Sequence, residues 1–469
     1  MTSASSFNPY PGLRPFRASE AHLFFGRSAH VDELLGELAR SRFVAVMGAS
    51  ASGKSSLVNA GLLPALLGGF SPRVGSHWRI AAFRPGVNPI HNLARALAAP
   101  EVLATDDADP VNAAAQVEAT LRRSGFGLAD AVREGGALDG GRVLVVVDQF
   151  EELFRFHANG AEQTMGSDAS PFAQLLIEAT QDDEAPVDVV VTMRSDFLGD
   201  CSQLRELPEA INQGLYLVPR LTRTQLQEAI TAPAAVGGGT LSPRLVQRVL
   251  NDAGTDPDML PVVQHALMRT WDTWAGETGG EGPIDLEHYE SCGGVDDALS
   301  RHADEAYFEL QGDRRRAVAE LMFKRITELG DDHREVRRPT PLAEIADVAR
   351  ASPEEVEACI GHFAEPGRSF VTVSTDGVVD ISHESLIRQW PRLKQWVREE
   401  ADSRDVYRRV ANAAERWERG EAALLRDPEL EIASRWWTDT RPNQAWADRY
   451  HPAFEPAARY LERSQKAGW

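Results

Sequence analysis

The chain has 469 residues, of which 43% are hydrophobic and 25% are charged, and its formal net charge at pH 7 is -21. This composition is typical of a globular protein of about three domains and excludes a disordered chain. The acidic charge argues against non-specific binding to nucleic acid or anionic membrane, because those partners attract a basic surface.

The N-terminal segment, residues 1–24, is interrupted by Pro9, Pro11, Gly12 and Pro15. These residues predict an extended segment that lies over a neighbouring surface, since proline cannot continue a regular helix. A helix over 28–39, a strand over 43–47 and a helix over 55–67 are predicted to follow.

A phosphate-binding loop is predicted between that strand and the second helix. The sequence there, Gly48-Ala49-Ser50-Ala51-Ser52-Gly53-Lys54-Ser55 followed by Ser56, matches G-x-x-x-x-G-K-[ST]. Its backbone N–H groups and the helix N-terminus would bind the phosphates, with Lys54 at the β- and γ-phosphates and Ser55 on Mg²⁺. A Gly/Ser-rich turn that matches by chance is the alternative. The strand and helix context favours binding of a nucleoside triphosphate.

Strands and helices then alternate as far as residue 222. We predict strands at 78–83, closed by Arg84-Pro85-Gly86, and at 142–147, 187–193 and 215–218, with helices at 89–98 and 112–123. The continuous apolar runs are typical of strands buried on both faces. Residues 25–222 are therefore predicted to form an α/β P-loop NTPase domain with a parallel sheet.

The remainder of the chain is predicted to be mainly helical. A helical, lid-like domain occupies 223–312, and a Trp-rich helical tail occupies 399–469. Residues 313–398 combine helices at 317–329, 342–349 and 353–363 with a hairpin around Asp376-Gly377. This order of elements predicts a winged-helix domain.

Acidic residues follow the strand at 142–147. Asp148 occupies the position of the carboxylate that holds Mg²⁺ through water in P-loop proteins. Gln149 stands where many ATPases have a catalytic glutamate. Glu151 or Glu152 would supply the base if the chain turns back after the strand. Alternatively, both glutamates only favour the N-terminus of the next helix.

Arg194 follows the strand at 187–193. If that strand lies beside the other two, Arg194 opens on the same crevice and contacts the γ-phosphate, stabilising developing charge or sensing its loss. A salt bridge with Asp196 or Asp200 is the competing interpretation.

Several motifs together resemble the STAND class of P-loop NTPases, and most closely the bacterial novel STAND NTPase 1 family. They are NPYPGLRPF at 8–16, LFFGR at 23–27, GASASGKSS at 48–56 and VVVDQFEELF at 145–154. The resemblance covers residues from about 7 to 400.

The resemblance implies further nucleotide contacts. Phe25-Gly26-Arg27 would lie near adenine, Pro261 would pack on the base, and Arg194 would be the sensor arginine. His383, in Ser382-His383-Glu384, would contact the ADP β-phosphate, with Ser382 as the N-cap of its helix. Two positions depart from the family pattern: Glu384 replaces an aspartate, and Gln149 replaces the usual base.

The resemblance also implies a switch driven by ATP, ADP and Mg²⁺. ADP would hold the three domains closed, and ATP would favour an open state that self-associates, with slow hydrolysis, in bacterial signalling or defence against phage. A sensor or effector, separate or fused, would be the partner, so we expect a switch portion of a longer protein or one with separately encoded partners.

Two other functions are considered. A winged helix can bind DNA, but the segment 353–360 carries three glutamates where a recognition helix needs Arg, Lys or Asn. The other is a scaffold that binds nucleotide without hydrolysing it. Because Cys201, Cys292 and Cys359 form no C-x-x-C arrangement and no signal peptide is recognisable, we expect a cytoplasmic protein with reduced thiols and no membrane partner.

Overall fold

The structure, a computed structural model, describes residues 7–69, 77–103, 109–135, 141–154, 168–254, 257–330, 334–374 and 376–467. The chain divides into two compact units. The first contains Met1–Tyr10, Pro15–Leu260 and Thr278–Leu286, and the second contains Pro11–Arg14, Pro261–Glu277 and Glu287–Trp469. The predicted helical domain at 223–312 is thus divided between them.

The first unit is built on a five-stranded parallel sheet in the order β2-β3-β4-β1-β5. Its strands are β1 (Phe43–Gly48), β2 (Trp78–Phe83), β3 (Arg142–Val147), β4 (Val187–Arg194) and β5 (Leu215–Leu217). The predicted parallel sheet is confirmed, and each strand lies within one residue of its predicted bounds.

Helices before and between the strands cover both faces of this sheet, and two further helices follow it in the chain. They are α1 (Ser28–Arg40), α2 (Lys54–Ser56), α3 (Leu63–Leu67), α4 (Pro89–Leu97), α5 (Pro110–Leu121), α6 (Gly127–Glu134), α7 (Ala169–Gln181), α8 (Leu207–Gln213), α9 (Arg223–Val236) and α10 (Pro243–Ala253), with a π-helical segment at Leu57–Leu62. Alternate β3 residues enter separate cores, Leu144 and Val146 on the α1 side and Val145 and Val147 on the α4 side. Burial on both faces explains the continuous apolar sequence of the strand.

The N-terminal segment is not wholly extended. Residues Ala18–Leu23 form a 3₁₀ helix, which begins after the last proline of the segment, Pro15. Tyr10 is buried, and its hydroxyl donates to Ile230 O at 2.6 Å. Tyr10 is therefore anchored by a specific hydrogen bond within the first unit.

The second unit is mainly helical. Its helices are α11 (Leu260–Thr278), α12 (Leu286–Ser291), α13 (Gly294–Glu309), α14 (Asp313–Arg325), α15 (Leu342–Ala349), α16 (Pro353–Ala364), α17 (Glu384–Gln389), α18 (Pro391–Glu418), α19 (Glu429–Thr440), α20 (Gln444–Asp448) and α21 (Phe454–Ala467). Within the described ranges, no helix is both long and apolar enough to cross a membrane.

Short strands complete this unit. They are β6 (Thr327–Leu329), β7 (Glu335–Arg337), β8 (Thr340–Pro341), β9 (Val371–Val373) and β10 (Val378–Ile381). The predicted hairpin is present as β9–β10, with β8 on the other side of β10. The predicted helix at 317–329 is wrong at its end, because Thr327–Leu329 pairs with β7 instead of extending α14.

The tail packs on the rest of the second unit through a buried ionic network. The Arg325 side chain is 1% exposed, with Nη2 2.6 Å from Glu344 and Nη1 3.8 Å from Glu400. Glu400 also accepts hydrogen bonds from Trp446 Nε1 and Tyr450 OH, at 2.8 and 2.7 Å. Removal of one partner would leave a buried charge, so this network fixes the tail in place.

Two histidines form a buried pair in the second unit. His265 on α11 and His302 on α13 have nitrogens 3.3 Å apart, and both rings contact Phe370. Burial lowers the pKa of His265 from 6.5 to about 3, assisted by the charge of Arg269. Burial likewise lowers the pKa of His302 to about 2, with smaller effects from His265, Arg269 and Arg368. Both imidazoles are neutral in the folded protein.

This pair predicts acid destabilisation of the second unit. The folded-state pKa values lie below the ordinary value of 6.5, so unfolding takes up protons once the pH falls below 6.5. Stability from the pair is complete above that pH and falls below it by up to about 3 kcal/mol per pH unit for both rings together. Denaturant unfolding followed by tryptophan fluorescence measures this unit, because Trp78 is the one tryptophan assigned to the first unit.

The variant His265→Leu/His302→Leu should lose this part of the pH dependence. His91→Gln is the control, since the His91 side chain is 45% exposed and lies in the first unit. An unchanged acid dependence in the double variant would contradict the prediction.

Candidate active site

The candidate site lies at the carboxyl edge of the parallel sheet. Gly48, at the end of β1, pairs with Arg194, at the end of β4. Val147, the last residue of β3, pairs with Val191 of β4 and with Phe83 of β2. Because parallel strands end at one edge, the phosphate loop, Arg194 and Asp148 lie along the same side of the sheet.

The predicted phosphate loop has a constrained backbone. Gly53 has φ +86°, and Ala51 also lies in the left-handed region, at φ +61°. Lys54 Nζ donates to Gly48 O at 3.1 Å and to Ala49 O at 2.7 Å, so the ammonium lies inside its own loop. Ser52 Oγ is buried and makes no hydrogen bond within the described part of the chain. An unpaired hydroxyl and an enclosed ammonium are features of an anion-binding loop.

Asp148 is the centre of the polar contacts. Ser55 Oγ donates to Asp148 Oδ1 at 2.7 Å, and Thr192 Oγ1 donates to the same oxygen at 2.6 Å. On the other side, Arg84 Nε lies 3.7 Å from Asp148 Oδ2. The two residues predicted to hold Mg²⁺, Ser55 and Asp148, are therefore in direct contact.

The chain turns back directly after β3. Gln149 has φ +61°, and its N–H donates to Thr192 Oγ1 at 3.0 Å. Glu152 N then donates to Gln149 O at 3.0 Å, which closes the turn. This left-handed residue redirects the chain, so both glutamates return towards the sheet edge.

Glu151 and Glu152 occupy different surroundings. Both are buried, at 4% and 8% exposure. Glu152 Oε2 accepts the Gly86 N–H at 2.9 Å, so this carboxylate fixes the loop after β2. Glu151 Oε2 accepts the Arg194 N–H at 3.4 Å, and the charge of Glu151 acts on Lys54. Glu151 is the glutamate associated with the phosphate loop.

The lysine environment shows how closely these charges are grouped. Burial lowers the pKa of Lys54 below its usual range, and the nearby charge of Arg194 acts in the same direction. The charges of Glu151, Asp148 and Asp196 oppose this shift. Lys54 thus lies within electrostatic range of Asp148, Glu151 and Arg194, three of the residues predicted to act in catalysis at this edge.

Arg194 makes the competing salt bridge. Its guanidinium pairs with Asp196 and lies 5.9 Å from the centre of the Phe197 ring. Arg194 is nevertheless the last residue of β4, beside the phosphate loop. The ion pair is compatible with a phosphate contact, because an arginine fork has five donors.

The Phe25-Gly26-Arg27 motif contacts the backbone of the phosphate loop. Arg27 is 4% exposed, and its guanidinium donates to Ser52 O at 3.0 Å and to Pro219 O at 2.6 Å. Burial lowers the pKa of Arg27 to about 10. Gly26 has φ +82°, and a Cβ there would overlap Gln225 O of α9. Arg27 therefore holds the loop backbone, and Phe25 is half-buried.

Ser56 contacts the N-terminal segment. Its Oγ accepts the Phe16 N–H at 3.2 Å, and the Phe16 and Phe24 rings meet edge to face at 5.5 Å. The conformation of the segment is thereby coupled to the helix that carries the phosphate loop.

Pro261 and His383 belong to the second unit. Pro261 is half-buried in the first turn of α11. The expected Ser382 N-cap is wrong: His383 is itself the N-cap of α17, and its Nδ1 accepts the Ser385 N–H at 3.1 Å. Ser382 Oγ is instead buried without a hydrogen bond in the described structure. Leu386, Trp390, Leu393 and Val397, which follow at helical spacing, are buried.

Sequence reasoning missed two residues at this site, Thr192 and Arg84. Thr192 lies inside an apolar strand, where threonine is ordinary and gives no functional signal. Arg84 is identified only by its place directly after a strand of the same sheet.

Comparisons with known proteins identify the family of the chain. The profile of the novel STAND NTPase 1 family matches residues 9–423. A search of curated proteins finds no significant match.

Similar solved structures include a Walker-type ATPase of Pyrococcus abyssi, at 12% identity, covering 82% of this chain and 99% of that one, with a TM-score of 0.39. Another is Cdc6p from Pyrobaculum aerophilum, at 14% identity, covering 80% of this chain and 94% of that one, with a TM-score of 0.34. A third is the ADP form of the Aeropyrum pernix ORC2 protein, at 11% identity, covering 83% of this chain and 94% of that one, with a TM-score of 0.39. These scores are low, so the fold assignment rests on this chain's own sheet topology.

Thr192→Val should disturb Asp148 and lower stability. The substitution keeps the shape of the buried side chain but removes the donor to Asp148 and the acceptor for the Gln149 N–H. We expect a loss of about 1–3 kcal/mol in the free energy of unfolding, measured by denaturant titration followed by circular dichroism.

Thr192→Ser restores the hydroxyl and should recover most of this loss. Thr180→Val is the control, because its hydroxyl bonds only the Ile177 carbonyl of its own helix. Equal stability of the Thr192→Val and Thr180→Val proteins would refute the assigned role.

Proposed function

Because this chain belongs to the novel STAND NTPase 1 family, we propose that it is an ATP-driven switch that hydrolyses ATP slowly and changes its assembly state with the bound nucleotide. The family is one of P-loop NTPases, which bind nucleotides. The observation that supports the proposal best is the contact of Ser55 with Asp148 beside the enclosed Lys54 ammonium. These three side chains are the minimum set for a Mg²⁺-bound triphosphate.

The residues at the sheet edge fit this ligand. The unpaired Ser52 hydroxyl and the left-handed Gly53 leave backbone and side-chain donors for phosphate oxygens, together with Gly48, Ala49, Ser50 and Ala51. Lys54 would exchange its two loop carbonyls for phosphate oxygens. Bound through Ser55 and Asp148, Mg²⁺ would neutralise phosphate charge. No cluster of three or more metal-ligating side chains occurs in the described ranges, so this metal would come with the nucleotide.

We assign the general base to Glu151. It is buried, it lies within electrostatic range of Lys54, and its carboxylate faces the end of β4. Glu152 is committed to the Gly86 N–H, which makes it a structural residue. Gln149 cannot accept a proton, and this is consistent with slow turnover.

The proposed switch requires contacts from both units. In the family pattern, Pro261 packs on the base and His383 reaches the ADP β-phosphate, while Phe25 and Arg194 contact the nucleotide from the first unit. A ligand shifts a conformational equilibrium only through its different affinity for the two states. When ATP replaces ADP, the contact of His383 with the β-phosphate would be lost, and an open form that self-associates would be favoured. We propose that this change acts in bacterial signalling or defence, together with a sensor or effector partner.

We interpret helices α14, α15 and α16 with the hairpin β9–β10 as a winged helix that serves as this switch element. Glu354, Glu355 and Glu357 on α16 are exposed, which disfavours DNA binding. An acidic face of this kind would repel a phosphate backbone.

Substitutions at the two glutamates should separate catalysis from structure. Glu151→Gln should retain ATP binding and reduce phosphate release at least about 100-fold, because the base is removed. Glu152→Gln should reduce stability and affect phosphate release much less. Multiple-turnover phosphate release and calorimetric titration measure both effects. The opposite ranking of the two variants would transfer the base to Glu152.

Lys54→Ala should abolish nucleotide binding, and its phosphate release therefore gives the background rate of the assay. Phosphate release from the wild-type protein that equals this background would refute hydrolysis and leave a nucleotide-binding scaffold.

Two variants at His383 test the switch. His383→Ala removes both the imidazole and the N-cap, whereas His383→Asn removes the imidazole but retains a capping side chain. Both should release ADP faster and increase assembly, measured by nucleotide retention and by light scattering after gel filtration. Only the alanine variant should also lose about 1 kcal/mol of stability. If His383→Asn retains ADP and its mass as the wild type does, the clamp is wrong.

A further inference from the structure

Arg84 lies at the same sheet edge as the predicted site residues. It follows Phe83, the last residue of β2, which pairs with Val147 of β3. Asp148 follows Val147, so Arg84 and Asp148 leave adjacent parallel strands at the same level. Their side chains meet, with Nε of Arg84 3.7 Å from Oδ2 of Asp148.

The backbone after Arg84 is held from two sides. Asn92 Nδ2, in the first turn of α4, donates to Pro85 O at 3.0 Å. The Gly86 N–H donates to Glu152 Oε2 at 2.9 Å, and Gly86 has φ +56°. These contacts fix where the Arg84 side chain starts, as required for a group that must meet a ligand with defined geometry.

Arg84 also contacts the residue in the usual base position. In the amide orientation that satisfies both of its neighbours, Gln149 accepts a hydrogen bond from Arg84 Nη2 at 3.3 Å and donates to Glu152 Oε1 at 3.1 Å. Arg84 therefore bridges Asp148 and Gln149, on the side of Asp148 that faces away from Ser55 and Thr192.

Positively charged side chains lie on both sides of Asp148. Lys54 follows the loop after β1, Arg194 is the last residue of β4, and Arg84 supplies a cation directly after β2. The Arg84 side chain is 38% exposed, whereas that of Asp148 is 16% exposed, so the arginine can exchange partners at low cost. A planar guanidinium matches two phosphate oxygens at once.

We propose that Arg84 is a second phosphate-contacting arginine, which pairs with Asp148 in this structure and binds the γ-phosphoryl oxygens when Mg²⁺ engages Asp148. Arg84 donates hydrogen bonds only, and it transfers no proton and forms no covalent bond. Its contact with ATP would stabilise the charge of the transferred group from the β2 side, opposite Arg194. The proposal rests on the proposed ATP site.

Binding affinities separate this role from a structural one. Arg84→Ala should weaken binding of the ATP analogue ATPγS about tenfold or more while leaving ADP affinity within about twofold, because only the γ-phosphate contact is lost. Its phosphate release should fall about 100-fold. Arg84→Lys retains the charge but not the fork and should be intermediate.

A control arginine and a second substitution at Arg84 accompany these measurements. Arg122 is 43% exposed and pairs with Glu118 and Asp168 away from the sheet edge, so Arg122→Ala should match the wild type in all three measurements. Arg84→Gln retains a donor for the Gln149 amide and replaces Arg84→Ala if that protein does not fold.

Equal weakening of ADP and ATPγS, or no change in either, would overturn the proposal. Failure of the wild-type protein to release phosphate above the Lys54→Ala background would refute hydrolysis alone. In that case the difference between ATPγS and ADP affinities would still decide the role of Arg84.

Discussion

The hydrogen bond from Ser55 Oγ to Asp148 Oδ1 joins residues that are 93 positions apart in the chain. It forms because β4 is inserted between β1 and β3 and holds both strands in parallel register. Thr192, on that inserted strand, bonds the same carboxylate oxygen and the backbone of Gln149. The spacing of the phosphate loop and the acidic residue is therefore set by one central strand.

Charged side chains of both signs are concentrated at this edge of the sheet, and they form a connected group instead of separate ion pairs. Lys54 remains near several carboxylates although burial lowers its pKa, and Arg194 and Arg84 each pair with an aspartate. Such a set costs desolvation energy on folding. A purely structural sheet end would not need a buried hydroxyl that makes no hydrogen bond in the described structure, as at Ser52, in the loop that encloses the Lys54 ammonium.

The sequence predicts the strands of the first unit closely, because β1, β3 and β4 are continuous apolar runs buried on both faces. It does not predict strand order, so the contact of Arg84 with Asp148 could not be foreseen. Nor does it reveal the left-handed Gln149 that separates the surroundings of Glu151 and Glu152. At Ser382 the general preference for serine as an N-cap is not met, because the Ser382 N–H donates to Phe370 O at 3.0 Å and extends the pairing of β10 with β9, so the cap falls on His383. The same competition ended α14 before Thr327.

The cap made by His383 also determines what that residue can offer a nucleotide. Its Nδ1 accepts the Ser385 N–H, so this nitrogen carries no proton in the neutral ring. The proton must then lie on Nε2, which makes that nitrogen a hydrogen-bond donor. A donor is the group needed to bind a phosphate oxygen, and no protonation of the ring is required. The local structure of α17 thus leaves Nε2 of the neutral His383 ring as a donor, which is what the proposed contact with a phosphate oxygen requires.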